Sequence, residues 1–429
     1  MNGLGSGRRE FEDALPSTTQ EDIRNAQAWI DQLNAWIDAH SLRGFDPFDV
    51  KQHPLIRAVQ THRLLRKASS VTCDMFPNAS RRVLRIQPTE NPKAFALVAM
   101  GRLRLYQATG AMHHLDVALE CLRWLREHAA PGASGLTWGY PFNVRGTGLD
   151  TPLNTPTVVV AAIAGEAYAL AYRLTKDAEH LEACRSISDF LVKDIPRLPE
   201  NDGSYCFAYT PDDPRRVHNA NLHAAAHLMR AYQLTGERAL LDAAEPAIRF
   251  TVERQRQDGS WPYGEYMSSE PFEPALLGLV DHYHTGFVLR SLLEIQQIQP
   301  GNIAQSIERG FAYYRRFLFD SDGAPVNATA RYPIDIHACA EGILCPSVLS
   351  SLYPEALDLA TRTLNWTAAN MRDTRSGAVY YRKYPFFTSR VICTRWGIAW
   401  IYRALCEYAY RASSVQEHGA ARRNVISAD

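Results

Sequence analysis

Apolar positions along the chain group into helical segments of two alternating kinds. Residues 157–172 are apolar on nearly every side, which predicts a helix buried in the interior. Residues 241–256 are apolar on one face and charged on the other, which predicts a helix that covers the interior from outside. The two kinds alternate from Asn91 onward. This alternation predicts helical hairpins, each made of one inner and one outer helix.

A six-residue phrase recurs at the ends of three apolar segments, 66 and then 60 residues apart. It reads Leu105-Tyr-Gln-Ala-Thr-Gly110, Ala171-Tyr-Arg-Leu-Thr-Lys176 and Ala231-Tyr-Gln-Leu-Thr-Gly236. A helix–turn–helix unit repeated at a nearly fixed period is typical of repeat architectures. The sequence therefore predicts an all-α fold, an (α/α)6 toroid of helical hairpins with long aromatic-rich loops at one end.

Residues of the types that cap helix N-termini mark the starts of the inner helices. We place these starts at Asn91, Asn154, Asn219, Asp281, Asp335 and Thr394. No outer segment follows Tyr410, so the helix predicted over residues 19–40 is expected to close the ring. The predicted organisation is a flexible leader over 1–18, one toroid domain over 19–412 and a polar tail over 413–429.

Charge and composition argue against several classes of protein. The chain has 46 Lys and Arg against 46 Asp and Glu, a balance that gives no sign of a nucleic-acid partner. Its eight cysteines include no CxxC pair, and phosphate-loop and GxSxG motifs are absent. No apolar signal segment opens the chain, and no uninterrupted apolar run approaches the roughly 18 residues of a membrane span. We expect a cytoplasmic protein without a transmembrane segment.

The long loops all connect an outer helix to the next inner helix, so we expect them at one end of the toroid, which we call the mouth. Six inner helix N-termini there would each contribute about half a positive charge. Basic residues in or beside these loops add to it: Lys93, Arg145, Arg331, Arg382, Lys383 and Arg395. We predict an anionic ligand such as a uronate, a phosphate or a nucleotide sugar, and a carbohydrate or sugar phosphate as the partner. The alternative is that water alone solvates these side chains.

Two motifs at helix starts carry the candidate chemistry. Asp281-His-Tyr-His284 opens the fourth inner helix, and an aspartate with histidines in one turn can supply a general acid, a general base or a metal ligand. Asp335 and His337 open the fifth inner helix, with Cys339 one turn further on. We assign Asp281, His284, Asp335 and His337 to a catalytic layer. The alternative is that both aspartates only cap their helices.

Zinc needs three or four ligands, and the sequence has no ordered cluster of them, so we predict no cofactor and keep zinc as the alternative. His223 and His227 lie four residues apart without the glutamate of an HExxH motif, so we interpret them as structural.

Aromatic side chains in the long loops suit a binding cleft, because their rings stack on sugar faces and on isoprenoid chains alike. They are Trp138, Tyr140, Tyr205, Tyr209, Trp261, Tyr263 and Trp396. We assign substrate binding to Trp138, Tyr140, Asn221, Trp261, Arg395 and Trp396, with loop packing as the alternative. His218 is a further candidate for hydrogen bonds to sugar hydroxyls. Glu265 and Asp150 are further mouth carboxylates, and glycoside cleavage uses a carboxylate pair.

Two short motifs resemble those of toroidal enzymes. Gln255-Arg-Gln-Asp-Gly-Ser-Trp261 resembles the QxxxGxW repeat of squalene–hopene cyclases. Asp281-His-Tyr-His284-Thr resembles the DxYHT stretch of protein prenyltransferase β subunits, whose histidine binds zinc. The chain lacks the cyclase DxDD motif and the prenyltransferase Asp-x-Cys. These resemblances imply a toroid and leave a zinc-dependent prenyl enzyme as an alternative function.

A longer resemblance covers about residues 45–410. It rests on Phe45-Asp-Pro-Phe-Asp-Val-Lys51, Trp138-Gly-Tyr-Pro-Phe142, His218-Asn-Ala-Asn221, Asp281 to Phe287, Asp335-Ile-His337 and Arg395-Trp-Gly397. These segments resemble bacterial proteins of exopolysaccharide and lipopolysaccharide gene clusters, which are similar to six-hairpin glycosidase-like toroids. Members often carry the label δ-aminolevulinate dehydratase, which this sequence contradicts because it lacks β/α alternation and a paired lysine motif. The resemblance implies a role in building or modifying a surface polysaccharide.

Three hypotheses follow. The first is an enzyme that acts on an anionic glycan or sugar by general acid–base chemistry, as a glycosidase, lyase or epimerase does. The second is a zinc-dependent prenyl or terpenoid enzyme. The third is a non-catalytic glycan-binding protein that works with other proteins of polysaccharide assembly.

Overall fold

The computed structural model describes residues 18–50, 53–59, 65, 72–73, 75–145, 150–265 and 278–426, without the side chains of 57, 59, 145, 150 and 415–426. Most of the predicted leader therefore lies outside the described residues, and the domain boundaries stay a prediction. Fourteen α-helices are named within the described part: α1 (Gln20–His40), α2 (Pro54–Val59), α3 (Pro77–Val83), α4 (Pro92–Thr109), α5 (Met112–Glu127), α6 (Val158–Thr175), α7 (Ala178–Lys193), α8 (His218–Thr235), α9 (Arg238–Glu253), α10 (His282–Ile298), α11 (Ala304–Phe317), α12 (Ile336–Leu349), α13 (Ala356–Met371) and α14 (Trp400–Ile426). A π-helix over Thr394–Ala399 leads into α14.

Six inner helices form a closed ring, which confirms the predicted all-α toroid. In order they are α4, α6, α8, α10, α12 and α14, and α14 packs against α4 to close the ring. Helices α5, α7, α9, α11 and α13 each pair with the inner helix before them, and α1 packs against α14 in the place of a sixth outer helix. Since each outer helix carries the chain back, all six inner N-termini point to the mouth.

The repeated phrase builds the same helix end three times. The residue after each threonine has a left-handed backbone, with φ of 71° at Gly110, 60° at Lys176 and 75° at Gly236. Each threonine hydroxyl donates to the carbonyl four residues earlier and accepts the amide N–H two residues later. A left-handed residue with such bonds ends a helix and turns the chain. The repetition in sequence therefore reflects one shared turn from inner to outer helix.

Three of the predicted N-caps are confirmed. The side chains of Asn91, Asp281 and Asp335 each accept a backbone N–H in the first turn of their helix. These bonds satisfy donors that a helix start would otherwise leave unpaired. The cap residues therefore fix where the inner helices α4, α10 and α12 begin.

The predicted starts at Asn154 and Asn219 are wrong. Thr157 caps α6, and Asn154 has a left-handed φ of 60° in the preceding turn, a conformation that asparagine tolerates. Helix α8 begins at His218, so that Asn219 lies inside its first turn. Asparagine suits both turns and caps, and the sequence does not distinguish the two.

Short antiparallel strands lie in the long loops, as their alternating aromatics suggest. They are β1 (Val144–Arg145), β2 (Asp150–Thr151), β3 (Arg197–Pro199), β4 (Tyr205–Phe207), β5 (Arg216–Val217), β6 (Gly264–Glu265), β7 (Ile334–Asp335), β8 (Arg382–Lys383) and β9 (Thr388–Ser389). The pairs are β1–β2, β3–β4 and β5–β6, and β7, β8 and β9 form a three-stranded sheet. Strands β5 and β7 lead directly into α8 and α12, so they fix the loops that face those helix starts.

The inner helices supply the core. Helix α6 is long and apolar enough to cross a membrane by length and composition, but 72% of that stretch is buried within the toroid. All eight cysteines are buried as well. Burial of small and apolar residues on both sides of the inner helices is what closes the ring around its axis.

Candidate functional site

Asp281 and His284 form a hydrogen-bonded dyad at the start of α10. Oδ1 of Asp281 accepts the backbone N–H of His284, and Oδ2 lies 2.6 Å from Nδ1 of the same histidine. Burial raises the pKa of Asp281, but the neighbouring His284 and these hydrogen bonds outweigh it and hold that pKa below its usual value. The aspartate therefore stays ionised and orients the histidine, which leaves Nε2 available to another group.

Asp335 has three partners at the start of α12. Oδ1 accepts the backbone N–H of His337 and, at 2.7 Å, the indole N–H of Trp396. Oδ2 accepts Nε–H of Arg382 at 2.7 Å, because the pairing of β7 with β8 sets these two residues opposite each other. Both carboxylate oxygens are thus engaged. This geometry suits a group that positions Trp396 and His337.

His337 is buried among aromatic rings. Its ring centroid lies 4.4 Å from Trp396, 4.8 Å from Tyr283 and 4.8 Å from Trp400, and neither ring nitrogen has a hydrogen-bond partner among the described residues. Burial, with the nearby cation of Lys93, holds the pKa of His337 well below its usual value. A buried polar group without a partner costs about 1–3 kcal/mol, so its presence calls for a functional reason.

The four candidate catalytic residues lie in one connected cluster. The ring of Tyr283 is 4.4 Å from His284 and 4.8 Å from His337, and Trp396 links His337 to Asp335. We call this group the mouth cluster, made of Asp281, Tyr283, His284, Asp335, His337 and Trp396. The starts of the adjacent inner helices α10 and α12, together with their N-cap residues, supply five of its members. The cluster therefore exists only because the ring brings these two helix starts together.

A second carboxylate–histidine pair borders the first. Nε2 of His218 lies 2.9 Å from Oε1 of Glu265, where β5 pairs with β6, and Nδ1 faces Thr251 at 3.3 Å. The hydrogen bond from His218 lowers the pKa of Glu265. A cavity of about 10 Å³ lies between the two pairs, lined by His218, Asp281 and His284. That volume holds roughly one water molecule, which is enough for proton exchange with the dyad.

Lys93 lies in the first turn of α4, close to the aromatic rings that surround His337. Its Nζ is 5.1 Å from the ring centroid of Trp400 and 6.0 Å from that of Phe287, and the residue is 4% exposed. Burial, followed by the repulsion of Arg395, holds its pKa well below the usual value. Among the described residues no carboxylate lies within ion-pair distance of Lys93. Nζ of Lys93 is therefore a hydrogen-bond donor without an acceptor among the described residues.

Three of the predicted substrate-binding residues are buried and bonded to the protein instead. Trp138 and Trp261 are 1% and 2% exposed, and their indoles donate to the backbone carbonyls of Leu125 and Thr251. Asn221 is fully buried, accepts the amide N–H of Phe207 and donates to the carbonyl of Ala247. We therefore reassign these three residues to packing of the loops against the helices.

Arg395 and Tyr140 also have protein partners. The guanidinium of Arg395 binds both carboxylate oxygens of Asp46, at 2.6 Å and 2.9 Å, and is 3% exposed. It lies 5.0 Å from the ring centroid of Tyr140, which is itself buried. The predicted role of both residues in ligand binding is replaced by a buried ion pair that anchors the residues around Asp46. Trp396 alone of the six predicted binders stays in the mouth cluster.

The mouth is less basic than the sequence predicts. Arg382 pairs with Asp335, Arg395 with Asp46, and Arg331 with Asp320 and Asp322. The side chains of Arg145 and Asp150, also predicted at the mouth, lie outside the described residues. Ionised partners cancel most of the positive charge that would attract an anion there.

The metal alternative has no ligand set in the part of the chain that the structure describes. There, no group of three or more His, Cys, Asp or Glu side chains is arranged to hold a metal ion. Cys339 is fully buried, and burial raises the pKa of its thiol. A neutral thiol of this kind is a packing group instead of a thiolate ligand.

The sequence patterns do not single out two residues near the toroid axis, His223 and Tyr283. His223, interpreted as structural, lies on the axis beside Phe287 with an unbonded Nε2, and burial with the charge of Arg290 lowers its pKa to about 3. Tyr283 was overlooked although it stands inside the Asp281–His284 motif. The sequence feature that could have identified His223 is a histidine on the face of an inner helix that points to the axis.

Comparisons with solved structures identify the fold. Cellobiose 2-epimerase from Spirochaeta thermophila matches with a TM-score of 0.61 at 16% identity, over 94% of this chain and 100% of that one. A D-mannose isomerase matches with a TM-score of 0.56 at 16% identity, over 75% and 86%.

The GH76 α-mannanase BT2949 of Bacteroides thetaiotaomicron matches with a TM-score of 0.56 at 13% identity, over 77% of this chain and 88% of that one. No protein-family model and no curated protein sequence matches the chain. At these identities the likeness establishes the architecture alone. The chain has the α/α-toroid fold that these carbohydrate-processing enzymes share.

Proposed function

We propose that this protein is a carbohydrate-modifying enzyme that moves a proton at a sugar carbon next to a carbonyl group, as epimerases and isomerases do. The observation that carries the proposal is the pair of histidines, His284 and His337, both packed against Tyr283. Structures with the same fold include enzymes named as epimerases and an isomerase, which supports this reaction class.

The two histidines divide the proton transfer. One imidazole takes the proton from the carbon, the electron pair moves to the carbonyl oxygen, and an enediolate intermediate forms. The other imidazole, or the same one, returns a proton to carbon and restores the carbonyl. Asp281 keeps His284 oriented through its contact with Nδ1, as a carboxylate does for a catalytic histidine.

Lys93 and Trp396 complete the proposed site. Lys93 donates to the carbonyl oxygen as it gains negative charge, which is where an unpaired donor contributes most. The ring of Trp396 is half-buried and fixed by Asp335, and it offers an apolar face to the sugar. Both aspartates of the cluster are helix caps with engaged oxygens, which favours proton transfer by histidine over glycoside cleavage by a carboxylate pair.

The test is hydrogen exchange in heavy water. Purified protein is incubated with a panel of reducing sugars, disaccharides and uronates, and ¹H NMR follows loss of the signal at the carbon next to the carbonyl. His337→Phe, which keeps an aromatic ring, is expected to slow exchange by about 10²–10⁴-fold. His282→Phe is the matched control, since His282 is an equally buried histidine in the first turn of the neighbouring helix α10 but faces Tyr314 of α11.

Exchange at equal rates in wild type and folded His337→Phe would overturn the proposal. Cleavage of a glycosidic bond without exchange would replace it with glycosidase chemistry. Absence of both reactions, with retained sugar binding, would favour the non-catalytic hypothesis. Stoichiometric zinc in the purified protein, together with turnover of a prenyl diphosphate, would favour the prenyl alternative.

The narrower proposal is that the sugar belongs to a surface polysaccharide made in the cytoplasm. It rests on the resemblance to proteins of polysaccharide gene clusters. In a host that carries the gene, replacement by His337→Phe is expected to change polymer yield or composition, and the His282→Phe gene is expected to leave both unchanged. Unchanged polymer with an inactive, folded enzyme would assign the activity to another pathway.

A further inference from the structure

A larger cavity lies on the toroid axis at the end opposite the mouth. Its volume is about 300 Å³, and residues from all six inner helices line it. That volume is at the lower limit of known small-molecule pockets, which span about 300–1,000 Å³. Phe287 separates it from the mouth cluster, since this ring lies 5.4 Å from His223 at the cavity and 5.7 Å from His337. The two sites are therefore distinct.

Arginine dominates this cavity. Six arginines and two glutamates line it. Two more glutamates, which do not line the cavity, form ion pairs with these arginines. The arginines are Arg104, Arg173, Arg230, Arg290, Arg403 and Arg411. The glutamates are Glu166, Glu294, Glu341 and Glu407. Six positive charges against four negative ones leave an excess of two, in contrast to the neutral chain as a whole. We call this site the arginine cavity.

The ion pairs in the arginine cavity do not use every donor. Arg230 binds Glu294 through Nε and Nη2. The Arg230 side chain is only 4% exposed, yet its Nη1 has no hydrogen-bond partner among the described residues. Arg173 donates to Gln233 at 2.6 Å and has no carboxylate within ion-pair distance among the described residues. Guanidinium donors left over in this way match the oxygens of a phosphate or carboxylate.

Helix dipoles explain only part of the arginine excess. Carbonyl ends of helices attract cations within the last turn, which accounts for Arg173 two residues before the end of α6. Arg230 lies five residues before the end of α8, and Arg290 lies eight residues before the end of α10. These positions are beyond the last turn, where the dipole effect has fallen off. Each of these two arginines is paired with a glutamate, Glu294 or Glu341, and Nη1 of Arg230 remains a donor without a partner among the described residues.

We propose that the arginine cavity binds a small dianion, a phosphate group that is either free or carried by a sugar. The excess of two charges matches one phosphate dianion, and bidentate guanidinium contacts are the usual protein ligands of phosphate. At the mouth Arg331, Arg382 and Arg395 are paired with carboxylates, whereas this cavity has guanidinium donors without a partner among the described residues. The anion that the sequence predicts at the mouth is thus assigned to the opposite end of the axis.

The test measures binding without catalysis, so it stands apart from the proposed reaction. Isothermal titration at low salt with inorganic phosphate, and separately with glucose 1-phosphate, is expected to give one site per chain. Arg173→Glu, which removes the charge excess, is expected to weaken binding by at least about tenfold, and Arg173→Gln by less. Arg249→Glu is the matched control, because Arg249 is exposed on the outer helix α9 and the charge change is the same.

Each outcome bears on the proposal. Binding of both ligands supports a phosphate site, and binding of glucose 1-phosphate alone identifies the ligand as a sugar phosphate. No binding of either ligand at millimolar concentration would overturn the proposal. Equal weakening by Arg173→Glu and Arg249→Glu would also overturn it, since the effect would then be one of overall charge. Circular dichroism of each variant establishes that it is folded.

Discussion

The two ends of the toroid axis use charge in opposite ways. At the mouth, Asp281 and Asp335 cap helix starts and orient the side chains around them, and the histidines beside them keep ring nitrogens without a partner among the described residues. At the arginine cavity, each glutamate binds an arginine of another inner helix, and Glu407 binds three arginines. The first arrangement orients groups for chemistry. The second ties the ring together, with donors left for an anion.

Helix ends explain part of this difference. N-terminal N–H groups favour carboxylates at the mouth, whereas C-terminal carbonyls favour a cation only in the last turn, which in the arginine cavity applies to Arg173. At the mouth the side chain that caps the helix also takes part in the candidate site. Stability and function therefore share residues at the mouth, while the ion pairs of the arginine cavity contribute chiefly to stability.

The largest expected effect is on the ion pairs of the arginine cavity. Glu407→Gln leaves Arg104, Arg403 and Arg411 without their shared, fully buried carboxylate, and we expect a loss of about 3–5 kcal/mol in the free energy of unfolding. Urea unfolding measures it. Glu294→Gln is the control: this glutamate is partly exposed and has one arginine partner, so a smaller loss is expected. Equal losses would contradict the role of Glu407 as a hub.

The buried histidines should respond to acid in a higher pH window than the buried glutamates. Burial lowers the pKa of His223 to about 3 and holds that of His337 well below 6.5, so the unfolded state takes up protons first as the pH falls below 6.5. Each such histidine is expected to cost about 2 kcal/mol of stability by pH 5. In His337→Phe the slope of the unfolding free energy against pH should decrease in this range by the equivalent of about one bound proton. An unchanged slope would contradict the burial of a neutral His337.

Glu166 and Glu407 of the arginine cavity should respond in a lower pH window. Burial raises the pKa of Glu166, but Arg403 and the other nearby arginines outweigh it and lower that pKa to about 2. Arginines likewise hold the pKa of Glu407 well below 4.5. Their contribution is present above pH 4.5 and is lost as the pH falls from there toward the folded-state values. The stability profile of Glu407→Gln should therefore differ from wild type in slope chiefly below pH 4.5.

A smaller effect on stability is expected at the mouth. Asp335→Asn keeps a helix cap but removes the charge that holds Arg382, so we expect a loss of about 1–2 kcal/mol in unfolding free energy. Activity in the exchange assay should fall far more than stability, because Trp396 and His337 lose their positioning group. Loss of stability without loss of activity would make Asp335 a cap only.

The smallest effect is expected at the rim. Arg331→Gln removes ion pairs with Asp320 and Asp322 from a side chain that is 37% exposed, and pairs of this kind contribute about 0–1 kcal/mol. Neither urea unfolding nor sugar exchange should change measurably. A marked loss of sugar binding in this variant would restore the basic mouth that the sequence predicts.

The sequence alone identified the elements and one part of the site. Helical periodicity separated inner from outer helices, and the Tyr-x-x-Thr phrase marked three helix ends, because a left-handed cap with a threonine bond is a local structure. Asp281 and Asp335 were recognisable as caps, and the histidines beside them followed from the same motifs. The wrong starts at Asn154 and Asn219 arose because one residue type serves both turn and cap.

Only the tertiary structure decided which polar and aromatic residues face the axis and which are packed away. Trp138, Trp261 and Asn221 are buried by contacts with neighbouring helices, and Arg395 meets Asp46 across 349 positions of the chain. Closure of the ring also gathers arginines from separate helices around one cavity. Local patterns determine which segments become helices. The packing of those helices around a shared axis determines which charges remain unpaired, and therefore where ligands can bind.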